Sequence, residues 1–308
     1  MFEAKQLVFY YAVSPVHMGA GSAIGAIDSP IQREVHTQHP MFAGSGIKGA
    51  LRHHFSQSWP REESGKSALI NRIFGPDTRA SDFAGALSLS DAQLVALPVR
   101  SLMRGYAYVT SPLALARLLR LAHVANVNPG WEVPSVPEGE ALVAGENLLT
   151  DGKLVLEAFE FPVRRTNEVG RIAAWLAQHI FAGDEFFSNK LKTDLVLLSD
   201  THFAHFARHA MVVESHVRIN DESGTADDGG LFYVENLPPE SILAGLAQAS
   251  IERTKNGGNG GARLQAEEVL ATVLKGTETL PGIAGRALQI GGDASTGRGL
   301  VLVQAVAG

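Results

Sequence analysis

The stretch Ile290–Leu300, with the sequence IGGDASTGRGL, carries four glycines in nine residues. Its flanks, Ala287–Ile290 and Leu300–Val306, predict a pair of strands around a glycine loop. A plain hairpin turn needs only one or two glycines, so the excess indicates that the backbone closely approaches another group. Phosphate is the natural candidate, with Arg298 as its charged partner. A glycine-rich bulge in a bare sheet is the alternative.

A second glycine-containing stretch, Gly44–Arg52 (GSGIKGALR), opens a region in which apolar residues recur every four positions. This spacing predicts a helix over about Gly46–Trp59 with Ser45 as its N-cap. The free amides of a helix start, with Lys48 and Arg52 on one face, have the chemistry of an anion site. The phosphate-loop pattern, in which a glycine is followed by Gly-Lys-Ser/Thr, is absent. A plain helix cap explains the stretch equally well.

The segment Ser14–Pro40 is crowded with Gly, Ser, Pro and His, and it is too long for a plain connection in a compact domain. It contains His17 and Asp28. An aspartate followed by Ser-Pro is usually a turn former, and local sequence alone favours that interpretation. A loop carboxylate beside histidines also has the chemistry to cleave a phosphodiester, as a base or as a metal ligand. A single aspartate cannot complete a two-metal site.

The remaining sequence predicts mixed helices and strands in one domain, residues 1–308, with insertions. The predicted strands are Gln6–Val13, Lys153–Phe161, Arg208–Asp221 and Leu231–Asn236, with two short strands or a hairpin in Ala86–Leu97. The predicted helices are Asn71–Phe74, Ser111–Val124, Ile172–Phe181, Phe186–Leu198 and Leu264–Leu274. A mixed or helical insertion is expected at about 130–200, a projecting hairpin at about 208–237, and a flexible tract at Lys255–Gly261.

The composition restricts the function classes. A net charge of −6 argues against a generic nucleic-acid coat, because phosphate binding normally shows as an excess of Lys and Arg. Several cations nevertheless lie in Gly-rich or turn-rich settings: Lys48, Arg52, Arg164, Arg165 and Arg298. The chain has no cysteine, which excludes disulfides, thiolate metal sites and a cysteine nucleophile.

Two further classes receive little support from the sequence. The histidines at positions 202, 205, 209 and 216 lack an accompanying carboxylate pattern, so we expect packed or surface residues rather than a zinc site. The first residues do not form a signal-peptide pattern, and no apolar run reaches the roughly 18 residues of a spanning helix. We therefore expect a cytoplasmic protein without a membrane partner.

Taken together, four segments resemble the RAMP superfamily of CRISPR-associated proteins, in particular the multi-copy backbone subunit of type III-B (Cmr) effector complexes. The resemblance runs from near residue 5 to near residue 305, in the family's order. The segments are SPVHMGAG (14–21) with IDSPIQRE (27–34), then Gly44–Arg52, then residues 221–239 with Gly229, Leu231, Phe232, Val234, Glu235 and Leu237-Pro238-Pro239, and finally Gly291–Gly299.

The resemblance implies an α+β fold, with a modified ferredoxin-like (RNA-recognition-type) core, an inserted helical lobe and a projecting thumb β-hairpin. It implies an endoribonuclease in which Asp28 cleaves target RNA, with His17 and Glu235 as weaker catalytic candidates. Asp28 would also place a divalent cation, Mg²⁺ or Mn²⁺. The implied RNA-binding residues are Ser45, Lys48, Arg52, Gly292, Arg298 and Gly299.

The implied partners are a guide (CRISPR) RNA, a complementary target RNA, copies of the chain itself in a filament, and other Cmr-type subunits. Two alternatives stay open: a non-catalytic scaffold in which Asp28 is only a turn residue, and the corresponding subunit of a type III-A (Csm) complex. A small-molecule enzyme is disfavoured, because neither glycine loop has dinucleotide or phosphate-loop spacing.

Overall fold

The structure, a computed structural model, describes residues 2–22, 25–59, 68–76, 83–254 and 262–306. The helices in these ranges are α1 (Gly44–Ser58), α2 (Ala68–Phe74), α3 (Pro112–Val124), α4 (Asn167–Ile180), α5 (Glu185–Asp194), α6 (Asp200–His209) and α7 (Ala266–Leu274). The strands before the hairpin are β1 (Ala4–Ala12), β2 (Met41–Phe42), β3 (Leu87–Leu89), β4 (Ala92–Arg100), β5 (Tyr106–Thr110), β6 (Ala141–Val143), β7 (Leu149–Thr150), β8 (Lys153–Leu156), β9 (Phe159–Arg165) and β10 (Leu195–Leu198). The later strands are β11 (Val212–Ile219), β12 (Ala226–Asn236), β13 (Ile242–Ala249), β14 (Arg286–Gln289) and β15 (Leu300–Val306).

One mixed sheet of 13 strands organises the chain, in the order β14-β15-β1-β13-β4-β5-β10-β6-β9-β8-β7, with β2 and β3 paired to its side. β1 lies between β13 and β15 and is antiparallel to both. β10 is parallel to β5 and antiparallel to β6. The α+β class is therefore confirmed, and so is the strand pair β14–β15 around the C-terminal glycine loop.

Both faces of the sheet are covered, and β1 shows why. Val8 and Tyr10 point into one apolar cluster, whereas Leu7 and Phe9 point into the other, because neighbouring side chains of a strand face opposite ways. Helices α1, α2 and α7 contribute to the first cluster, and α3, α4 and α5 contribute to the second. A strand buried on both faces is a continuous apolar run rather than an alternating one.

Helix α1 begins two residues before the predicted start, so the assignment of Ser45 as its N-cap is wrong. Ala43 is the N-cap and makes no side-chain capping bond. The Gly44 N–H instead donates to Asp91 Oδ1 at 2.8 Å. A Cβ at position 44 would lie 2.3 Å from the carbonyl oxygen of Leu89, so only glycine fits there. The cap comes from a residue distant in sequence, which local patterns do not report.

Several other boundaries differ from the predictions. The predicted strand Arg208–Asp221 begins only at Val212, because Arg208 and His209 end α6, and the strand predicted from Leu231 begins at Ala226. The predicted helix Phe186–Leu198 ends at Asp194, and its last four residues form the fully buried strand β10. A short apolar run has no periodicity that separates a buried strand from a buried helix. The predicted strand Lys153–Phe161 is broken at Glu157, whose φ of 51° allows β8 and β9 to form a hairpin.

Two strands lie in the Ala86–Leu97 region, which was predicted to hold either two short strands or a hairpin. These two strands do not form a hairpin with each other. β3 pairs with β13, and β4 pairs with both β13 and β5. In contrast, the predicted helix α3 is confirmed: Ser111 Oγ accepts from the Ala114 N–H at 3.3 Å, with Pro112 at the first position.

The predicted hairpin forms a separate two-stranded sheet, β11–β12. Apolar side chains on this hairpin are exposed: Val213, Val217, Ile219 and Leu231. The 130–200 region contributes β6 to β10 together with α4 and α5, and β10 lies inside the large sheet. The tract Lys255–Gly261 lies outside the described residues. Within the described part of the chain, no helix is long and apolar enough to cross a membrane.

Candidate functional site

The outer edge of strand β12 binds the segment that carries Asp28. The Tyr233 N–H donates to Asp28 Oδ2 at 2.7 Å, and the Ser29 N–H donates to the Tyr233 carbonyl at 3.1 Å. The Glu235 N–H donates in turn to the Ser29 carbonyl at 3.0 Å. Asp28 is exposed, and among the described residues its Oδ1 has no partner. One carboxylate oxygen is therefore anchored while the other faces solvent.

His17 lies further along the same edge of β12. Its Nδ1 is 2.7 Å from the Glu235 carbonyl oxygen. A carbonyl can only accept, so Nδ1 carries the hydrogen and Nε2 of the neutral ring is an acceptor. Positions 233 and 235 are two residues apart on one strand, which spaces their groups by roughly 7 Å. The strand thus presents the Asp28 carboxylate and a histidine in its base-competent tautomer side by side.

Glu235 is buried, and its carboxylate is fully engaged. Oε2 accepts from the Ile31 N–H at 3.0 Å, and Oε1 pairs with Arg33 Nη2 at 2.5 Å. Arg33 Nη1 also donates to the carbonyls of Ala207 and Gln38, both at 2.8 Å. These contacts give Glu235 the environment of a positioning residue, which clamps the Asp28 segment to the hairpin, rather than that of a group open to substrate.

The C-terminal glycine loop lies against the other side of the His17 segment. The Gly292 N–H donates to the His17 carbonyl at 2.9 Å, and the Gly299 N–H donates to the Pro15 carbonyl at 2.8 Å. A Cβ on Gly291 would lie 2.3 Å from the His17 carbonyl oxygen, and Gly299 is similarly crowded by Ile290. Contacts inside the fold thus account for two of the four glycines.

The cations of α1 are half-buried and already bonded. Lys48 Nζ donates to the Leu87 carbonyl at 3.0 Å, and burial, followed by the nearby Arg52 charge, lowers the pKa of Lys48. Arg52 donates to Asn71 Oδ1 at 2.9 Å and to the Gly75 carbonyl at 2.5 Å. Ser45 is exposed in the first turn. The helix therefore offers an exposed small-residue surface with positive charge behind it.

A cavity of about 460 Å³ is lined by residues of α1, β14 and the C-terminal loop. Its lining is Met18, Gly19, Gly46, Gly49, Ala50, His53, His54, Leu288, Gln289 and Gly291. His53 and His54 were not among the sequence candidates, because a His-His pair in a helix carries no specific signal. Burial, with the Arg286 charge, lowers the pKa of His54.

The structure separates the predicted basic residues into two places. Arg298 lies at the hairpin, where its Nη2 is 2.6 Å from both carboxylate oxygens of Glu214. Arg164 and Arg165 lie on β9, seven strands from β15, which at ~4.8 Å per strand is roughly 34 Å away. They pair there with Glu140 and Glu146. The two β9 arginines are not part of the site at the hairpin base.

Among the described residues, no group of three or more His, Asp or Glu side chains could hold a metal ion. Asp28 offers one carboxylate oxygen, Oδ1, that is not bonded to any other described residue. His202 and His205 contact aromatic rings, those of Phe161 and Phe159. The described side chains of one copy therefore do not by themselves form a complete divalent-cation site.

The fold and the hairpin-based site define a class. The RAMP superfamily model matches residues 9–302, and the chain belongs to this superfamily. The chain is 33% identical over 303 residues to the CRISPR system Cmr endoribonuclease Cmr4 of Pyrococcus furiosus, covering 96% of this chain and 94% of that protein.

Solved structures agree with this relationship. The crystal structure of oligomeric Cmr4 from Pyrococcus furiosus has a TM-score of 0.71 and 28% identity, and the match covers 99% of each chain. A chain of the type III-B Cmr-beta complex bound to cognate target RNA has a TM-score of 0.71 at 19% identity, covering 99% of this chain and 98% of that one. The second likeness establishes the fold alone.

Proposed function

We propose that this chain is the guide-RNA-binding backbone subunit of a type III-B CRISPR effector, and that it cleaves target RNA at regular intervals. Its relative from Pyrococcus furiosus carries the name endoribonuclease, and that relative also forms oligomers. Copies of the chain, placed side by side, would repeat the same site along a guide RNA. Other Cmr-type subunits would complete the complex.

One observation carries the nuclease assignment. The exposed Asp28 carboxylate is fixed by the Tyr233 N–H on the strand whose neighbouring carbonyl fixes the His17 tautomer. In the proposed reaction, the target's own 2′-hydroxyl attacks the adjacent phosphorus, and the bond to the 5′-oxygen of the next nucleotide breaks. Asp28 or His17 Nε2 takes the hydroxyl proton, and the departing 5′-oxygen gains a proton. The products are a 2′,3′-cyclic phosphate and a 5′-hydroxyl.

Mg²⁺ or Mn²⁺ remains part of the proposal at Asp28. A bound divalent cation would supply charge stabilisation at the phosphate. This chain contributes one carboxylate oxygen, so further ligands would come from RNA phosphate, water or a neighbouring copy.

The proposed RNA groove runs from α1 to the C-terminal loop. Ser45 and the small residues of α1 permit close approach of an RNA backbone, and Lys48 and Arg52 supply positive charge from behind this surface. Gly292, Arg298 and Gly299 belong to the C-terminal loop, whose Gly291 lines the cavity and whose Gly292 and Gly299 contact the His17 segment. The groove is thus local, which is compatible with a net charge of −6 on the whole chain.

The mechanism is tested with the reconstituted complex and a guide-complementary RNA. We expect cuts at regular intervals in Mg²⁺, loss of those cuts with EDTA, and product ends that carry a cyclic phosphate. A single 2′-deoxy nucleotide at one cut position should remove that cut and leave the others. A cut that persists at the 2′-deoxy position would contradict attack by the target's own hydroxyl.

A non-catalytic scaffold is the second candidate, and one contact favours it. Asp28 Oδ2 accepts a main-chain N–H, which is what a purely structural aspartate does. In that case the chain binds guide RNA and other subunits cleave. The corresponding type III-A (Csm) subunit is the nearest alternative within the same class.

A further inference from the structure

Arg298 binds the hairpin in a way that bears on the RNA groove. Both short contacts, 2.6 Å each, join one amino group, Nη2, to the two carboxylate oxygens of Glu214. A guanidinium can grip an anion with two parallel N–H bonds through the Nη1/Nη2 edge or the Nε/Nη2 edge. Nη2 belongs to both edges. Glu214 therefore occupies the group on which either bidentate phosphate contact depends.

The backbone of Arg298 is held by hydrogen bonds, which fixes the point from which its side chain starts. Its N–H donates to the Asp293 carbonyl at 3.2 Å, and its carbonyl accepts from Gln289 Nε2 at 2.7 Å. Gly297 and Gly299, on either side, both have φ of 83°. The guanidinium lies at the hairpin base, where Glu214 is its partner.

The pair is placed to be exchanged. The side chains of Arg298 and Glu214 are 23% and 28% exposed, so solvent and an incoming phosphate can reach them. Glu214 also has a second partner on its own hairpin, because Asn236 Nδ2 donates to Oε2 at 3.3 Å. A carboxylate that loses Arg298 thus keeps one hydrogen bond.

From this geometry we infer that Glu214 is a competitor for Arg298, which an RNA phosphate must displace before Arg298 grips the RNA backbone. The inference rests on the proposed function, because it takes RNA phosphate as the ligand of Arg298. Glu214 thereby sets the RNA affinity of the groove. An anion without other contacts in the groove must displace the carboxylate of Glu214 unaided. It should therefore bind Arg298 less tightly than an RNA phosphate that the other contacts hold in place.

The test measures binding of a labelled oligouridine to the full chain across a salt series. Glu214→Gln removes the competing charge and keeps the shape. We expect tighter binding by about 5-fold, since an exposed pair is worth up to about 1 kcal/mol. We also expect the slope of log K against log salt to steepen by up to about 0.7, the value for one charge on a single strand.

A matched control removes the same charge elsewhere. Glu157, in the turn between β8 and β9, pairs through Oε2 with Nη2 of Arg100 on β4 at 2.7 Å. Glu157→Gln therefore makes the same change in net charge away from the groove. Arg298→Gln in the Glu214→Gln background should reverse the gain, because the freed guanidinium is what binds.

Each other outcome overturns the inference in a distinguishable way. Weaker binding by Glu214→Gln would mean that Glu214 supports Arg298, and equality with Glu157→Gln would mean that only net charge matters. An Arg298→Gln change without effect in the Glu214→Gln background would remove Arg298 from the groove. These three results leave the proposed function standing, whereas a wild-type chain that binds no RNA, alone or in the assembled complex, would refute both.

Discussion

Two arginine–glutamate pairs hold the base of the same hairpin, and they are built differently. Arg33–Glu235 is almost enclosed, with side chains 16% and 5% exposed, and the carboxylate has a further main-chain donor. Arg298–Glu214 is more open and uses a single amino group. The first pair holds the Asp28 segment to the hairpin, while in our proposal the second exchanges its carboxylate for a phosphate. Similar ion pairs would thus serve structure in one place and binding in the other.

The largest effect should come from breaking the clamp. Arg33→Ala leaves the Glu235 carboxylate buried without its cation, which costs about 3–5 kcal/mol of unfolding free energy. Arg100→Ala, at an exposed pair, is the control and should change stability by at most about 1 kcal/mol. Urea denaturation measures both. Equal losses in the two variants would show that the Arg33–Glu235 pair is no clamp.

A second buried carboxylate, Glu252, is also held by an arginine and should stabilise the fold in a pH-dependent way. Burial pushes its pKa up, but hydrogen bonds from Arg72, Thr254 and the Leu264 N–H outweigh this and lower the pKa to about 2. Because the folded pKa lies below that of the unfolded chain, the stabilisation is full above about pH 4.5 and is lost as pH falls toward 2.

Glu252→Gln should therefore be less stable than wild type at pH 7, and the difference should shrink as the solution is acidified toward pH 2. Thermal unfolding at a series of pH values measures it. A difference that stays constant over that window would contradict the assigned pKa.

Glu240 should show the opposite pH dependence. Burial raises its pKa to about 7, and it accepts hydrogen bonds from the Tyr106 and Tyr108 hydroxyls at 3.2 Å. The folded chain holds this proton more tightly than the unfolded chain, so the stabilisation is present below about pH 4.5 and is lost as pH rises through about 7. Wild type should lose melting temperature relative to Glu240→Gln between pH 5 and pH 8. A pH-independent difference would refute this.

The exchangeable pair should show the smallest change in stability. Glu214→Gln removes an open contact, so the free energy of unfolding should fall by at most about 1 kcal/mol. The same variant should show the change in RNA affinity described above. A loss of several kcal/mol in urea denaturation would place Glu214 with Glu235, among the structural carboxylates.

Local sequence patterns were sufficient to predict an element where the residues that define it lie close together in the sequence. The Ser111 cap and Pro112 define the start of α3, and the C-terminal glycines lie between the predicted strand pair. The same kind of signal failed for Ser45, because the cap of α1 is the Asp91 carboxylate, 47 residues away. It also failed for β10, whose four buried residues have no distinguishing period.

The candidate site shows the same limit. Sequence placed Asp28, His17 and Glu235 among the candidates, but it could not report that Asp28 and His17 are fixed through one edge of β12, at positions more than 200 residues away. The burial of Glu235 by Arg33, and the engagement of Arg298 by Glu214, are also tertiary. A residue type can be nominated from sequence, whereas the partner that decides its role comes from the fold.

We propose that Asp28 cleaves RNA, and the test is the single-turnover cleavage rate of target RNA by a complex assembled with Asp28→Asn. Asparagine keeps an oxygen that can accept from the Tyr233 N–H, so target binding should persist, while loss of the carboxylate should slow cleavage by at least about 100-fold. Asp228→Asn, an exposed hairpin aspartate, should cleave at the wild-type rate. Wild-type cleavage by Asp28→Asn would contradict the account and leave the chain as an RNA-binding scaffold.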